Sequence, residues 1–560
     1  MRRKVQKVGI NFGTIAEGLA AAKVGDLVQV LPGQYEEEDL QLKNGVNIEF
    51  LPGAEMIQSA ESIAAEEEYT AFTDGGEDVV CSIGGRPTYN FYGASELIEL
   101  TGAASVVTIY GKAEYVYTEA FTWASAAKLI FERSVMSDEF GNVIFPGNLI
   151  VTGGISAAPY YGVSWDESAD SYARTGALTG EATGESPSLF MPIHAGMKRC
   201  VLDDSGNVLY FLDPDDSTKK DNGQPATIDD ESHGQVMVQV PKFWFKYSYS
   251  GTTHTWEIAS EPVDGFTIHP AFLKDGQEVD SRYVGAYDGS LYDASAGAMV
   301  PSGSIVTSLY AAGDKLCSIS GQYPKTNETR AENRGAASQR GAGWRMMDYD
   351  LMSAVQLLYL VEYADFNSQS MIGNGRTTLS GGGWTAGSYI GIAGLSNGDG
   401  NRTNSIHTGA LGDTDYMTYR GIENFFGNIW IFIDGVNIYN NEAGAYSRLF
   451  ACNDEANFAD DTQANYEQVG DLVLLDGYQS TLAQVMRGFL PLTVGATSST
   501  KVSDYFYTYY DNLGSGWTED YRVLLLGGCA SAGSTAGVFY VNAPYASSYG
   551  TVSVGARLCF

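Results

Sequence analysis

The chain has 560 residues, of which 44% are hydrophobic and 12% aromatic, and its formal net charge is −35. That length is too great for one core and predicts two to four domains. The acidic balance argues against nucleic acid, whose phosphates need Lys and Arg, and against an anionic membrane surface; a solvated acidic exterior is the plain reading.

The opening MRRKVQKVGINFGTIAEG has basic residues but neither the apolar run nor the small-residue cleavage site of a secretory signal, and no later run is long enough to span a bilayer. Synthesis in a cytoplasm without standard export, and no membrane insertion, are therefore expected. Residues 1–145 read as β-rich. Ile15–Ala22 predicts a short helix, followed by Leu27–Leu31, a turn at Pro32-Gly33, Leu40–Leu42, a turn at Asn44-Gly45, Val46–Leu51 and a turn at Pro52-Gly53. A helix followed by GDLVQVLPGQYEEEDLQLKNGVNIEFLPGAEM resembles the first rungs of the right-handed parallel β-helices of phage tailspikes and pectate lyases. Leu97–Leu100, Ser105–Tyr110, Tyr115–Tyr117 and Lys128–Phe131 read as further rungs, and a solenoid needs several to bury its faces. Glu61–Arg86 interrupts the pattern, and a small β-sandwich or prism is the competing architecture.

Residues 146–233 are rich in Gly, Ser and Asp and read as a connector carrying hairpins. Its acidic cluster, Asp213, Asp215, Asp216 and Asp221 with Lys219 and Lys220, lacks the Gly and terminal Glu of a calcium loop. From 234 to 560 the pattern is that of a loop-rich α+β domain. Val236, Val238 and Val240, then Phe243, Phe245 and Tyr247, alternate as in a half-buried strand. Leu351, Ala354, Leu358 and Val361 recur at helical spacing in a long helix over Asp348–Tyr363, with Asp348 as its N-cap. The six cysteines are dispersed without a CxxC, so buried free thiols are expected; the five histidines form no HxxxH or HExxH, and no metal or other cofactor is expected.

Three segments stand out in this C-terminal region: GAGWRMMDYDLMSAVQLLYLVEY with Trp344, YRGIENFFGNIWIFIDGVNI, and the closing RVLLLGG…AGVFY…VGARLCF. The second places Gly421, Glu423, Asn424, Gly427, Asn428, Trp430, Asp434 and Gly435 in the order Gly-x-Glu-Asn-x-x-Gly-Asn-x-Trp-x-x-x-Asp-Gly. This resembles the C-type-lectin fold in its formylglycine-generating-enzyme-like branch, over roughly residues 235–560. By their residue types these positions read as scaffold: glycines for backbone shapes closed to other residues, Glu423 and Asn424 for loop N–H groups, and Trp430 as a core anchor.

Within that branch the oxidising enzymes use a pair of late cysteines. Cys529 and Cys559 are the only late candidates here and read as buried thiols. Calcium-dependent lectins use Glu-Pro-Asn or Gln-Pro-Asp with Trp-Asn-Asp, all missing here; Asn453, Asp454, Glu455, Asp460 and Asp461 form an acidic loop for which a hard cation is the minor alternative.

The last stretch, Arg522–Phe560, contains no Lys, Glu, Gln, Met or Trp and is rich in Ser, Ala, Gly, Val and Tyr. Small residues with Tyr on a stiff frame make an adaptable binding surface. With the ending GARLCF, the segment resembles the variable proteins of diversity-generating retroelements, the family of phage tropism determinants. Their adenine mutagenesis of Asn codons cannot write those five residues.

The resemblance implies a variable segment at about 522–557. Leu524–Leu526, Gly527, Gly528, Gly533, Ala536, Gly537, Phe539, Asn542, Gly555, Arg557 and Leu558 would be frame. Cys529, Ser531, Ala532, Ser534, Thr535, Val538, Val541, Ala543, Tyr545, Tyr549, Thr551 and Ser553 would be displayed to a ligand. Alternation in Asp504–Asn512 predicts a strand whose tyrosines pack on one face.

The function implied is that of a phage tail-fibre or tail-tip receptor-binding protein, assembled in a host cytoplasm and carried on the virion as a homotrimer. It would be a binding protein and not an enzyme. Its partners would be a host cell-surface protein or glycan and other phage tail proteins, and the β-rich region would attach or trimerise it. Two alternatives stay open: a tailspike polysaccharide depolymerase, with Asp138, Glu139 and the run Glu36–Asp39 as the nearby carboxylates, and a bacterial surface-displayed variable adhesin, which needs an export signal or lipobox.

Overall fold

In the computed structural model the chain divides into two compact units, 1–156 and 157–560. The structure describes residues 5–8, 12–24, 26–37, 40–51, 54–57, 70–73, 80–85, 88–90, 96–100, 106–111, 114–116, 120–123 and 128–132 of the first. Of the second it describes 160–187, 189, 191–300, 310–441, 446–485, 487–497, 500–508 and 520–560.

The first unit opens with the helix Ile15–Ala21, capped by the Thr14 side chain, which accepts from the Glu17 N–H. The N–H groups of Ile15 and Ala16 donate to the Glu37 carboxylate at 2.6 and 2.8 Å, so this member of the Glu36–Asp39 run closes the helix N-terminus. All the sheet pairing that follows is parallel among the described strands. Val5–Val8, Leu27–Val30, Asn47–Phe50, Val80–Gly85, Val106–Gly111 and Lys128–Glu132 stack in a six-stranded sheet. Gly33–Tyr35, Ala54–Ile57, Thr88–Asn90 and Glu114–Val116 form a four-stranded sheet, and Leu40–Gln41, Thr70–Thr73, Glu96–Leu100 and Ala120–Trp123 another.

Successive strands visit the three sheets in rotation, so the chain winds as a three-sided parallel coil. Val28, Val30, Ile48, Phe50 and Ile83 stack inward from one wall, Ala54 and Met56 from the second, Leu40 and Phe72 from the third. Outward-facing Gln29 donates to Glu49 and Gln34 to Glu55, each at 2.9 Å across neighbouring rungs. The stretch Glu61–Arg86, expected to interrupt the pattern, contributes the strands Thr70–Thr73 and Val80–Gly85. Its Gly and acidic residues hide the short strands from a reading of periodicity. Asp138 and Glu139 lie outside the described residues.

The second unit is β-rich with few helices, and its sheets begin well before residue 234. Tyr161–Asp166 pairs antiparallel with Thr253–Ala259 over its full length, and Lys198–Leu202 with Gln235–Pro241. Val163, Trp165 and Trp256 are fully buried in that first pairing. The expected connector at 146–233 is therefore corrected: its strands belong to the second unit's sheets, Tyr161–Asp166 and Lys198–Leu202 as internal members and Ser171–Gly176 and Val208–Phe211 at the edges. The Asp/Asn/Gly composition that suggested a linker belongs to the turns between those strands.

The long helix runs Tyr349–Tyr363, and the Asp348 side chain accepts from the Leu351 N–H as N-cap. Each of its residues is buried, as expected for a helix enclosed on all sides. Its two interior carboxylates are matched: Asp350 by Arg487 at 2.6 Å, Glu362 by Arg420 at 2.5 Å. Around the helix curls a nine-stranded sheet that includes Trp430–Asn441, Asp520–Leu526, Tyr505–Tyr507, Gly477–Val485 and Gly488–Gly495. Glu467–Leu472 and Gly488–Gly495, at its two ends, approach each other, making it nearly a closed barrel. The chain's last strand, Leu558–Cys559, lies between Ser281–Gly285 and Arg345–Met346. Among the described residues no helix is long and apolar enough to cross a membrane.

Candidate functional site: the C-terminal face

The segment Gly421–Gly435 sits beneath the closing segment and holds it from below. Glu423 is buried, and its carboxylate accepts from the N–H of Gly394 and Ser396 and from the Ser396 hydroxyl at 2.6–2.9 Å. Asn428 accepts from the Gly391 N–H and donates to Asp288, both at 2.8 Å. Asp434 takes a two-pronged contact from Arg334, at 2.7 Å on each oxygen. Gly427 has φ +81°, and a Cβ there would stand 2.7 Å from the Arg376 carbonyl, so neither space nor backbone admits a side chain.

Arg557 ties this scaffold to the chain end. Its guanidinium donates to Asp288 at 2.5 Å, to the carbonyls of Gly285 and Glu423 at 2.8 and 2.7 Å, and to that of Asn424 at 3.0 Å. Burial raises the Asp288 carboxyl to about 6 in spite of Arg557, and lowers the Arg557 guanidinium from its ordinary value. For both groups desolvation outweighs the pair's attraction, so the contact fixes geometry more than it adds stability. Trp344 is buried, with its ring against Phe560 and its Nε1–H donating to the Asp204 carbonyl at 3.0 Å.

Trp430 packs against a buried cluster that includes Phe432, Val523, Leu525 and Val554, in keeping with a core anchor, and it also reaches the C-terminal face. Its ring is partly exposed and meets Tyr540 edge-on at 4.7 Å. Neighbouring Ile429 and Ile431 point inward, so the alternation of the strand turns Trp430 toward the variable segment. From there an aromatic band continues: Tyr540 to Tyr505 at 5.9 Å, Tyr505 to Tyr478 at 5.0 Å, and the Tyr478 hydroxyl to Ser534 Oγ at 3.3 Å. Tyr505 and Tyr507 are partly exposed while Phe506 is buried. The strand is as expected, but its packed face carries Phe506 and not the tyrosines, because core volume is filled from the other side of the pleat. Tyr509–Asn512 lie outside the described residues.

Of the expected display positions, Ser531 and Ser534 are exposed, and Ala532, Thr535, Val541, Tyr545, Tyr549, Thr551 and Ser553 partly so. Tyr545 and Tyr549 stack face to face at 3.6 Å and 6°. Three positions are corrected. Val538 and Ala543 are 0% exposed and Cys529 is 7% exposed, so no ligand reaches them in this conformation. Val538 packs in the main core, and its backbone is held on both sides, by Ser368 Oγ and by Gln356 Nε2. Ala546, Ser548 and Gly550, outside the expected set, are exposed instead. A restricted alphabet marks a segment, not which way each side chain faces.

The backbone of this segment is bolted from outside it. The N–H of Ala530 donates to the Asn428 carbonyl, that of Gly533 to Thr377 and that of Leu379 to Ala530, at 2.8–2.9 Å. Gln369 Nε2 donates to the carbonyls of Gly533 and Ala536 at 2.9 and 2.7 Å. Thr535 Oγ1 donates to the Ala532 carbonyl at 2.6 Å within the loop, whereas the exposed side chains of Ser531 and Ser534 contribute little to holding it, which leaves those two free to be exchanged. Beside them the Gly-rich segment 380–387 presents Trp384, partly exposed and edge-on to Tyr389 at 5.1 Å.

A cavity of about 250 Å³ opens at the edge of this face, lined by Asn367, Gln369, Ser370, Asn374, Ser503, Asp504, Ser534 and Ala536. Asp504 is 2% exposed, and its Oδ2 accepts from the Phe539 N–H at 2.7 Å. Burial drives its carboxyl well above the ordinary range. The sequence signal for it was only the position of Asp504 ahead of an alternating strand.

Neither late cysteine has the setting of a nucleophile. Burial raises both thiols, that of Cys559 to about 11, and Cys559 Sγ donates to the Met346 carbonyl at 3.0 Å. Cys200, Cys317 and Cys452 are likewise buried free thiols. In the acidic loop, Asp460 pairs with Arg330 and Arg334, Glu455 with Arg345, and Asp461 accepts from the Ser547 hydroxyl. Asp454 caps the turn Glu455–Asn457, and Asn453 donates to the Leu273 carbonyl. These groups are committed to neighbours in the fold, and among the described residues no cluster of His, Cys, Asp and Glu could hold a metal ion. No protein-family model matches the chain, and a search of curated proteins finds no match.

Proposed function

We propose that the chain is a receptor-binding protein of a phage tail fibre or tail tip. Its second unit would have the C-type-lectin fold of the formylglycine-generating-enzyme-like branch, and its C-terminal face would be diversified as in retroelement variable proteins. The observation that carries the reading is the separation within Arg522–Phe560 of an immobilised frame from exchangeable side chains. Leu524–Leu526, Arg557 and Leu558 are buried, while Ser531, Ser534, Tyr545, Tyr549, Thr551 and Ser553 reach the surface, as Trp430 and Tyr505 partly do. Rigid tyrosines among small polar residues give contact area at low entropy cost. The parallel coil of the first unit suits a stiff attachment or trimerisation element on a virion, joining other tail proteins. Several copies would then reach a host surface together, and avidity would compensate for modest single-site affinity. Binding at this face would need neither cofactor nor chemistry.

The test is adsorption of the labelled full-length chain to a panel of bacterial cells. Binding to a subset, lost in Tyr545→Ala/Tyr549→Ala and in Ser531→Arg/Ser534→Arg but retained after a charge swap at Asp215, supports the reading. Adsorption to none, or adsorption indifferent to these changes, contradicts it. Release of oligosaccharide from capsule would favour the depolymerase instead.

A further inference from the structure

The cavity beside Ser534 has a built polar lining with one feature that its own fold leaves incomplete. Asp504 is almost wholly buried, yet among the described residues its Oδ1 has no hydrogen-bond donor; the single contact to the carboxylate is the Phe539 N–H on Oδ2. No Lys, Arg or His lines the cavity. A buried carboxylate with neither a cation nor a full set of donors is costly, and other buried carboxylates among the described residues have one or the other. Asp288, Asp348, Asp350, Glu362 and Asp434 each face an arginine, while Glu423, Asp314 and Asp415 accept hydrogen bonds on both oxygens. The Asp504 side chain also lies against Gly537, where a Cβ would stand 2.0 Å from Oδ1, so the backbone there is shaped around the carboxylate.

We propose that the cavity binds a primary ammonium group of the surface ligand, with Asp504 as its counter-charge. An ammonium suits it better than a guanidinium. With Oδ2 committed to Phe539, only one carboxylate oxygen is left, and the parallel two-pronged contact that favours arginine is closed. A compact ammonium instead spreads three N–H donors over Asp504 and nearby oxygens. The hydroxyls of Ser370 and Ser534 and the amides of Asn367 and Asn374 supply those acceptors at the rim. A volume of about 250 Å³ accepts one sugar ring or the end of a lysine side chain and not a larger body. Burial pushes Asp504 toward its neutral form, and an incoming ammonium reverses that push.

The proposal rests on the C-terminal face being a ligand-binding face, and its test is independent of host cells. The full-length chain is titrated with glucosamine and with Nα-acetyl-lysine methylamide, each against its neutral isostere, N-acetylglucosamine and Nα-acetyl-norleucine methylamide, by calorimetry or ligand-observed NMR. The expected result is a preference of at least about tenfold for an ammonium probe over its isostere. The arm in which it is seen distinguishes an amino sugar from a lysine side chain. Asp504→Asn, which keeps size and the acceptor for Phe539, should abolish the preference. Ser534→Trp, at an exposed rim position, should block binding without touching Asp504. Equal binding of the isosteres, a preference that survives Asp504→Asn, or no binding of any probe at millimolar concentration overturns the proposal. Cell adsorption that persists without ammonium selectivity would overturn the ammonium site alone and leave the receptor-binding reading standing.

Discussion

Replacing Arg557 by Met removes the tie between the chain end and the scaffold below it. The guanidinium makes hydrogen bonds to Asp288 and to the carbonyls of Gly285, Glu423 and Asn424. Without it, Asp288, 4% exposed, keeps among the described residues only the Asn428 amide at 2.8 Å. Leaving one partner of a buried pair uncompensated costs about 3–5 kcal/mol, a large part of a typical total stability. Urea unfolding followed by tryptophan fluorescence reads this as a midpoint lowered by roughly 1 M or more. Adding Asp288→Asn to Arg557→Met should recover much of the loss, because the penalty lies in the stranded charge.

The pH dependence has a definite sign. The folded carboxyl of Asp288 titrates at about 6, above an unfolded aspartate at about 3.9. Its favourable contribution is therefore complete below about pH 4 and lost as pH rises through 6. With Arg557 gone the loss extends to higher pH, so the variant's deficit should be larger at pH 7 than at pH 4.5. A deficit below about 1 kcal/mol, no recovery with Asp288→Asn, or a deficit that shrinks as pH rises would refute the reasoning.

Asp504→Asn should stabilise the unliganded chain near neutral pH by about 1–3 kcal/mol. Its carboxyl is raised in the fold, so the parent loses stability as pH climbs above the unfolded aspartate value and the variant does not; thermal melts at pH 4 and 7 check both. Gly537→Ala should cost about 1–3 kcal/mol, since the new Cβ would meet the Asp504 oxygens at 2.0 and 2.2 Å. An unchanged melting temperature would contradict that packing. Tyr549→Ala removes half of a partly exposed stack with Tyr545 and should cost no more than about 1 kcal/mol while abolishing adsorption to cells. Equal losses in both would assign Tyr549 to the frame.

Several features were legible in the sequence because one local rule sufficed for each. The period of Leu351, Ala354, Leu358 and Val361 gave the long helix, and Asp348 its cap. Apolar pairs between Gly and Asn turns gave the walls of the coil from Leu27 to Phe50. What escaped depends on neighbours distant in the chain. Thr70–Thr73 is too short, and Val80–Gly85 too glycine-rich, to show a period, and both become strands by stacking on neighbouring rungs. Tyr161–Asp166 looks like linker until it lies against Thr253–Ala259. Trp430 has the residue type of a core anchor and does pack on a buried cluster, but residue type alone could not show that it also stays partly exposed beside Tyr540. In Tyr505–Tyr507 alternation revealed the strand, not which side is inside. The cavity at Asp504 draws on three separate stretches of chain, so no motif announced it.

The most direct test of the central claim is to read the DNA around the gene. A reverse-transcriptase gene should lie nearby, with a near-copy of the last hundred or so coding bases that differs only at its adenines. The differing codons should be those of surface positions such as Ser531, Ser534, Tyr545, Tyr549, Thr551 and Ser553. They should spare Leu524–Leu526, Arg557 and Leu558, and also the buried Val538 and Ala543. Absence of such a copy, or differences scattered over buried frame codons at bases of every kind, would contradict a diversified receptor-binding face.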